Sequence, residues 1–406
     1  MFYKNIIRTF YTQKILKYLD NTGLIKVLIG QRRAGKSYIM KQIIATLLQK
    51  GIQEKNIVYI NLEVDFLKFK SLEEVDLYIK NYKKDNNISE RMYLFFDEIQ
   101  ELQGWEKLIN GYRADENFDC DLYITGSNAG LLSSELSTFL AGRYINFEIY
   151  PFSYKEFLEY FEKKNSKENF LEYMNFSGIS ELYKLPDKET QIDFLKSLKD
   201  SIILKDIVKR FKVKEVGLLE QLFLFTISNI SNLLSINAIV RKLKANGVKS
   251  NTVTLGNYLV YLEQTYIIHS CERYDLQGKK ILEGEKKYYL NDLGFHNYFL
   301  SSYDIGGGKK LENLVFLHLK RLGYTVYTGT LGNLEIDFIA EKGKEKLYIQ
   351  VAYLITDEKV LQREFGNLLK INDNYPKIVL SLDDILIQDF HGIEHYNIFN
   401  WLKNKK

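Results

Sequence analysis

The residues Gly30-Gln31-Arg32-Arg33-Ala34-Gly35-Lys36-Ser37 follow the pattern G-x-x-x-x-G-K-S, and these types at this spacing suit the cradling of phosphate groups. Gly30 and Gly35 let the backbone curl so that successive N–H groups face an anion, and a helix opening at Lys36 would add the positive end of its dipole. Lys36 would reach the β and γ phosphates of a nucleotide, the Ser37 hydroxyl would ligate magnesium, and Tyr38 completes the binding segment. The flanks fit this chemistry. Before the loop, Gly23 to Ile29 is a short apolar segment of strand type, and after it Tyr38 to Leu48 carries apolar residues at helical spacing.

A second group lies about sixty residues on, where the apolar run Met92-Tyr93-Leu94-Phe95-Phe96 ends in Asp97 and Glu98. Such a run reads as a buried strand whose tip projects two carboxylates into the crevice where parallel sheets bind ligands. Asp97 would hold the magnesium through water, and Glu98 would orient and deprotonate an attacking water. A third strand, Cys120 to Thr125, ends in Gly126-Ser127-Asn128. A small polar side chain there can hydrogen-bond the water or the γ-phosphate; Ser and Asn after a strand also cap the next helix. Further on, Arg143 in Leu140-Ala141-Gly142-Arg143-Tyr144 has two readings: a cation for the γ-phosphate of its own or a neighbouring subunit, or a surface arginine.

The order of phosphate loop, strand-Asp-Glu, strand-Thr-Gly-Ser-Asn, Ala-Gly-Arg-Tyr and Tyr150-Pro151-Phe152-Ser153-Tyr154-Lys155-Glu156-Phe157 resembles a widespread prokaryotic family of AAA+ ATPases. In that family the ATPase is joined to a C-terminal domain of uncharacterised function that resembles restriction-endonuclease folds. The resemblance implies ATP and Mg2+ as cofactors, Glu98 as the base, Asn128 at the position called sensor 1, and Arg143 as an arginine finger. It also implies a homo-oligomer, a hexameric ring being one such form.

Composition fits a soluble, cytoplasmic machine. The 406 residues suggest two to four domains, and 46% hydrophobic residues supply their cores. No run of about eighteen apolar residues occurs, so no membrane partner is expected. Cys120 and Cys271 are far apart and the five His show no ligand spacing, which argues against a disulfide framework or a structural metal. A net charge of +4 neither demands nor excludes nucleic acid. Lys205, Lys209, Arg210, Lys212 and Lys214 cluster, but a charge run is also what a solvated helix face shows.

The expected fold class is α/β. Residues 1–150 alternate strands and helices as a doubly wound core with parallel strands, and residues 151–230 read as a helical lid. Residues 231–300 follow the outline of a winged helix. Ser235 can cap a helix over 236–245, Ser250 a second one, and Tyr266 to Ser270 can pair with Lys287 to Leu290 across a loop holding Gly278, Lys279 and Lys280. Winged helices read DNA or dock proteins, and Arg241, Lys242, Lys244 and Lys249 favour DNA.

Residues 301–406 resemble a magnesium-dependent nuclease, in which an Asp and then Glu-x-Lys on the next strand bind metal and activate water. Glu312 and Asp337 are present, but Gln350 and Ala352 stand in the Glu and Lys places, so an inactive scaffold is expected. A migrated catalytic residue such as Glu335 or Lys346 is the opposite reading. Together these features point to an ATP-hydrolysing AAA+ ATPase that binds duplex or branched DNA and moves or remodels it. The alternatives are a nucleotide-gated switch in a defence or signalling system, and a protein remodeller.

Overall fold

The computed structural model describes residues 6–65, 68–127, 142–300, 305–387 and 390–404. Backbone contacts divide the chain into two units, residues 1–150 with 264–266, and residues 151–263 with 267–406.

The first unit contains α1 (Thr9–Leu16), β1 (Ile25–Ile29), α2 (Lys36–Gln49), β2 (Ile57–Asn61), α3 (Leu72–Asp85), β3 (Met92–Asp97), α4 (Trp105–Ala114), β4 (Cys120–Gly126) and β5 (Tyr144–Glu148). The five strands form one parallel sheet in the order β2-β3-β4-β1-β5. Every residue of β1, β3 and β4 is buried, which is why these strands read as unbroken apolar runs. Alternate residues serve opposite faces. Val27, Leu94 and Phe96 pack towards α3 and α4, whereas Leu28, Phe95 and Tyr123 pack towards α1 and α2. Lys26 on β1 is buried too, and pairs with Asp121 on β4.

The register brings the strand tips together. Ile29 lies opposite Gly126, and Asn61 opposite Asp97. The phosphate loop, the Asp97-Glu98 pair and Thr125 therefore share one edge of the sheet, the carboxyl edge at which open α/β folds bind ligands.

The second unit begins with α5 (Tyr154–Tyr160), α6 (Lys167–Phe176), α7 (Lys188–Asp200) and α8 (Val216–Ile227). Ser153 and Glu156 start α5 with a reciprocal capping box. After α7 the chain continues helically, as a π-helical stretch Ser201–Val208 and a last turn Lys209–Phe211.

Next come β6 (Leu233–Leu234), α9 (Ile236–Ala245), α10 (Thr252–Gln264), β7 (Ile268–Asp275) and β8 (Lys280–Leu290). Ser235 caps α9 through the Ala238 N–H. The cap of α10 is Asn251, whose Oδ1 accepts the Thr254 N–H at 2.8 Å, one residue later than the predicted Ser250.

The remaining elements are α11 (Gly294–Phe299), α12 (Gly307–Leu322), β9 (Thr325–Leu331), β10 (Leu334–Lys342), β11 (Glu345–Val351), α13 (Glu358–Leu369), β12 (Lys377–Ser381), β13 (Glu394–Asn397) and α14 (Ile398–Asn404). Among the described residues, the eight strands of this unit form one sheet, ordered β13-β12-β11-β10-β9-β7-β8-β6. The β7–β8 hairpin is thus joined to the C-terminal strands by parallel pairing of Glu272 to Asp275 with Tyr327 to Thr330.

Candidate functional site

The backbone path of the phosphate loop requires glycine at both ends. Gly30 has φ +141°, and a Cβ there would lie 2.1 Å from the Ile149 carbonyl oxygen. Gly35 has φ +93° and precedes the first turn of α2, which carries Lys36, Ser37 and Tyr38. Lys36 is buried, and its ammonium donates to the carbonyls of Gly30 at 3.0 Å and Gln31 at 3.2 Å. Gln31 and Ala34 are buried in the loop, Arg33 is exposed, and Arg32 pairs with Glu63 at 3.2 Å.

Asp97 and Glu98 stand beside the loop. Asp97 accepts hydrogen bonds from the hydroxyls of Thr125 on one oxygen and Tyr59 on the other, the latter at 2.6 Å. Thr125 uses the same Oγ1 to accept the Glu98 backbone N–H at 2.9 Å, so one side chain sets the spacing of both acids. Glu98 Oε1 lies 3.5 Å from the Lys36 ammonium, and Glu98 Oε2 accepts from the Gln100 amide. Burial pushes the Glu98 carboxyl up, but Lys36, Gln100 and Arg32 together hold it below the ordinary carboxylate range.

Arg143 does not reach this site within the same chain. It precedes β5, whose first residue pairs with Ile25 at the start of β1, while the loop follows Ile29 at the other end. The two are roughly 13 Å apart along the strand direction, at about 3.3 Å per residue. Arg143 is exposed and close enough to Arg113 to lower that guanidinium's pKa, after the effect of burial. Asn128 lies outside the described residues.

Four residues of the site were not singled out from sequence. Arg8 is buried and donates to the Ala34 carbonyl at 2.6 Å and the Tyr150 carbonyl at 2.8 Å, tying the loop to the end of the unit. Tyr59, Thr125 and Gln100 orient the acids. Tyr59 and Thr125 could have been found by aligning neighbouring strand tips, since each is within two residues of a position opposite Asp97 or Phe96.

A second constellation lies in the other unit. Glu312 on α12, Glu335 and Asp337 on β10 converge on Lys287 of β8, whose ammonium is 2.9, 2.7 and 4.0 Å from their respective oxygens. The Tyr289 hydroxyl also donates to Glu312. Burial would lower the Lys287 pKa, but Glu312, Asp337 and Glu335 raise it above the usual lysine value. Gln350 is consumed structurally: its carbonyl accepts the Asp337 N–H at 2.6 Å and its amide donates to Glu364 at 3.1 Å. Ala352 is buried, and Lys346 pairs with Glu341 instead of joining the cluster. No group of three or more His, Cys, Asp or Glu among the described residues is arranged to hold a metal ion.

A parallel five-stranded sheet with a G-x-x-x-x-G-K-S loop and a strand-tip Asp-Glu pair defines a P-loop ATPase. Residues 22–158 match the family described as an AAA domain, and residues 167–304 match a domain of unknown function. The chain is similar to an uncharacterised protein of Haemophilus influenzae, at 36% identity over 403 residues and 98% of each chain. It is also similar to an uncharacterised protein of Methanocaldococcus jannaschii, 33% identical over 349 residues, 82% of this chain and 75% of the other. A solved Walker-type ATPase of Pyrococcus abyssi aligns with a TM-score of 0.47 and 16% identity, over 72% of this chain and 95% of that one. The chain belongs to this AAA-domain family: it is a nucleotide-binding AAA+ ATPase with a C-terminal domain of unknown function.

Proposed function

We propose that the protein hydrolyses ATP in a magnesium-dependent reaction and uses the cycle to move or remodel DNA. The convergence of Lys36, Asp97, Glu98 and Thr125 at one sheet edge carries the first half of this reading. Lys36 exchanges its contacts with the Gly30 and Gln31 carbonyls for the β and γ phosphates, which the loop N–H groups surround. The Ser37 hydroxyl and the Asp97 carboxylate would hold a magnesium ion, which would supply positive charge against the phosphates. An all-oxygen donor set, with Asp97 oriented by Thr125 and Tyr59, suits that hard cation. Glu98, kept ionised at neutral pH, takes the proton of the attacking water. Arg143, remote from its own loop, serves the γ-phosphate of a neighbouring copy in an oligomer.

The second half rests on the winged-helix region. Arg241, Lys242, Lys244 and Lys249 around the end of α9, and Lys279 and Lys280 at the hairpin tip, are all exposed and suited to phosphates. The exposed face of α10 offers Thr252, Val253, Asn257 and Val260, able to bond a base edge or contact a thymine methyl. Val253 is 72% and Val260 48% exposed, however, one helical face apart by seven residues, which favours a second reading in which α10 docks a protein to be remodelled. The 301–406 region is proposed to lack nuclease activity, because Lys287 fills the acidic cluster and Gln350 and Ala352 replace the Glu and Lys.

The decisive experiment measures ATP turnover without DNA and with single strands, duplex and four-way junctions at two salt concentrations. DNA should raise turnover, and binding should weaken steeply with salt as counterions are released. Reversing Lys242 and Lys244 to Glu should weaken DNA binding and leave DNA-free turnover intact. A rate indifferent to every DNA, but raised by a protein partner, overturns the DNA reading in favour of the remodeller.

A further inference from the structure

Gln100 lies two residues beyond the acid pair, in the short 3-10 turn Ile99–Glu101, with its side chain turned back towards Glu98. Its amide nitrogen donates to Glu98 Oε2 and lies 3.4 Å from Ser127 Oγ at the tip of β4. The amide cannot be reversed, since its oxygen would then face the carboxylate oxygen and two acceptors would meet. This orientation leaves Gln100 Oε1 buried and, among the described residues, without a donor. A buried acceptor with no partner is uncommon and calls for one, and in a site that must admit a reacting water the missing donor has an obvious source.

Glu98 itself is gripped at three points. Its backbone takes φ +51°, a left-handed conformation costly for a side chain with a Cβ, and the N–H bond to Thr125 holds it there. Lys36 faces Oε1 and Gln100 holds Oε2. Phosphates entering the loop draw Lys36 away from Oε1, while the Gln100 amide stays on Oε2.

We infer that Gln100 is the positioning residue of ATP hydrolysis: its N–H fixes Glu98 Oε2, and its carbonyl accepts a hydrogen bond from the attacking water, so that Glu98 Oε1 receives the other proton. This inference rests on the hydrolytic role proposed for Glu98. In the step, the water oxygen bonds to the γ-phosphorus while the bond from that phosphorus to the β–γ bridging oxygen breaks. The bonding pair leaves with ADP, one water proton passes to Glu98 Oε1, and inorganic phosphate is the second product. Gln100 gains and loses nothing. It sets direction, so its removal should lower turnover and not nucleotide affinity.

The test uses the full chain, with Gln100→Leu and the isosteric Gln100→Glu, and measures kcat, KM and ATP affinity across pH. Gln100→Leu should lower kcat by on the order of a hundredfold and leave ATP affinity within about twofold. It should also move the acid limb of kcat to higher pH, because an N–H that favours the Glu98 carboxylate has gone. Gln100→Glu should move that limb further, since a second carboxylate then opposes ionisation, and it carries the test alone where the Leu variant fails to fold. Wild-type kcat in Gln100→Leu overturns the inference. So does a loss of kcat that tracks ATP affinity and thermal midpoint with an unmoved acid limb, the pattern of mere structural damage. A wild-type protein with no turnover at all overturns the Glu98 role as well, whereas turnover with an indifferent Gln100 overturns only the positioning role.

Discussion

Replacing Glu98 by glutamine should tighten ATP binding while abolishing turnover, and the first of these effects can be sized from the geometry of the site. Lys36 and Glu98 face each other at 3.5 Å with side chains 3% and 11% exposed. At an effective dielectric of about 20, that separation of 3.5 Å corresponds to a gross attraction of about 5 kcal/mol. An incoming triphosphate must draw Lys36 out of this pairing and then sit beside the Glu98 charge. In the Glu98→Gln variant the side chain is neutral in both states, so the competition and the repulsion vanish together. Lys36 gives up its carbonyl contacts in wild type and variant alike, so these cancel; water screens part of the field, and about a third of the gross figure should survive. That is roughly 1.5 kcal/mol, or about tenfold in Kd. Calorimetric titration of ATP with magnesium reads the affinity, and phosphate release reads turnover. Unchanged or weaker binding would show that the Lys36–Glu98 contact does not oppose the nucleotide, and surviving turnover would remove Glu98 from the base role.

Arg143→Ala and Glu98→Gln subunits, each inactive alone, should regain part of the wild-type rate when mixed, since intact sites form between unlike neighbours; a fully active monomer refutes this. Lys287→Met should lower the unfolding free energy by about 3–5 kcal/mol in urea, because Glu312, Glu335 and Asp337 lose their shared cation. An unchanged midpoint would mean that the cluster is not held by charge. Burial, with the neighbouring carboxylates, pushes Asp337 and Glu364 up to about 7, from ordinary values of 3.8 and 4.5. Groups raised in this way add stability that is complete below the unfolded pKa and lost as pH rises through the folded one, so their contribution should fall between about pH 4 and 7. Thermal unfolding of Glu364→Gln should show a shallower fall over that window than the parent, and identical slopes would refute the assignment.

What could be read from the chain and what could not divides along sequence distance. The strand-loop-helix pattern of the phosphate loop, the strand end at Asp97-Glu98 and the Ser235 cap are local features, so residue type and spacing suffice to place them, whereas the partners that orient the two acids lie far along the chain. The β7–β8 hairpin was legible for the same reason. The roles of Arg8 and Tyr59 depend on strand order and on contacts 26 to 142 residues away, which no local pattern encodes. Lys287 is the clearest case. Its sequence places it in the strand that pairs with Tyr266–Ser270, yet the sheet folds its side chain against acids from α12 and β10. Asn251, one position after the predicted cap, shows the usual uncertainty of helix starts where two capping residues adjoin.

The parallel pairing of β7 with β9 governs how the second unit can be taken apart. Cutting the chain near residue 300 would strip β7 of its neighbour over Glu272–Asp275, baring a rank of backbone donors and acceptors on a newly made sheet edge. The cut would expose β9 in the same way and leave both fragments with complementary sticky margins. The halves should therefore be insoluble when expressed singly and soluble when expressed together, re-forming the seam. A fragment of residues 231–300, free of the strands that follow it, would have to be capped or charged along β7 before it could be handled alone.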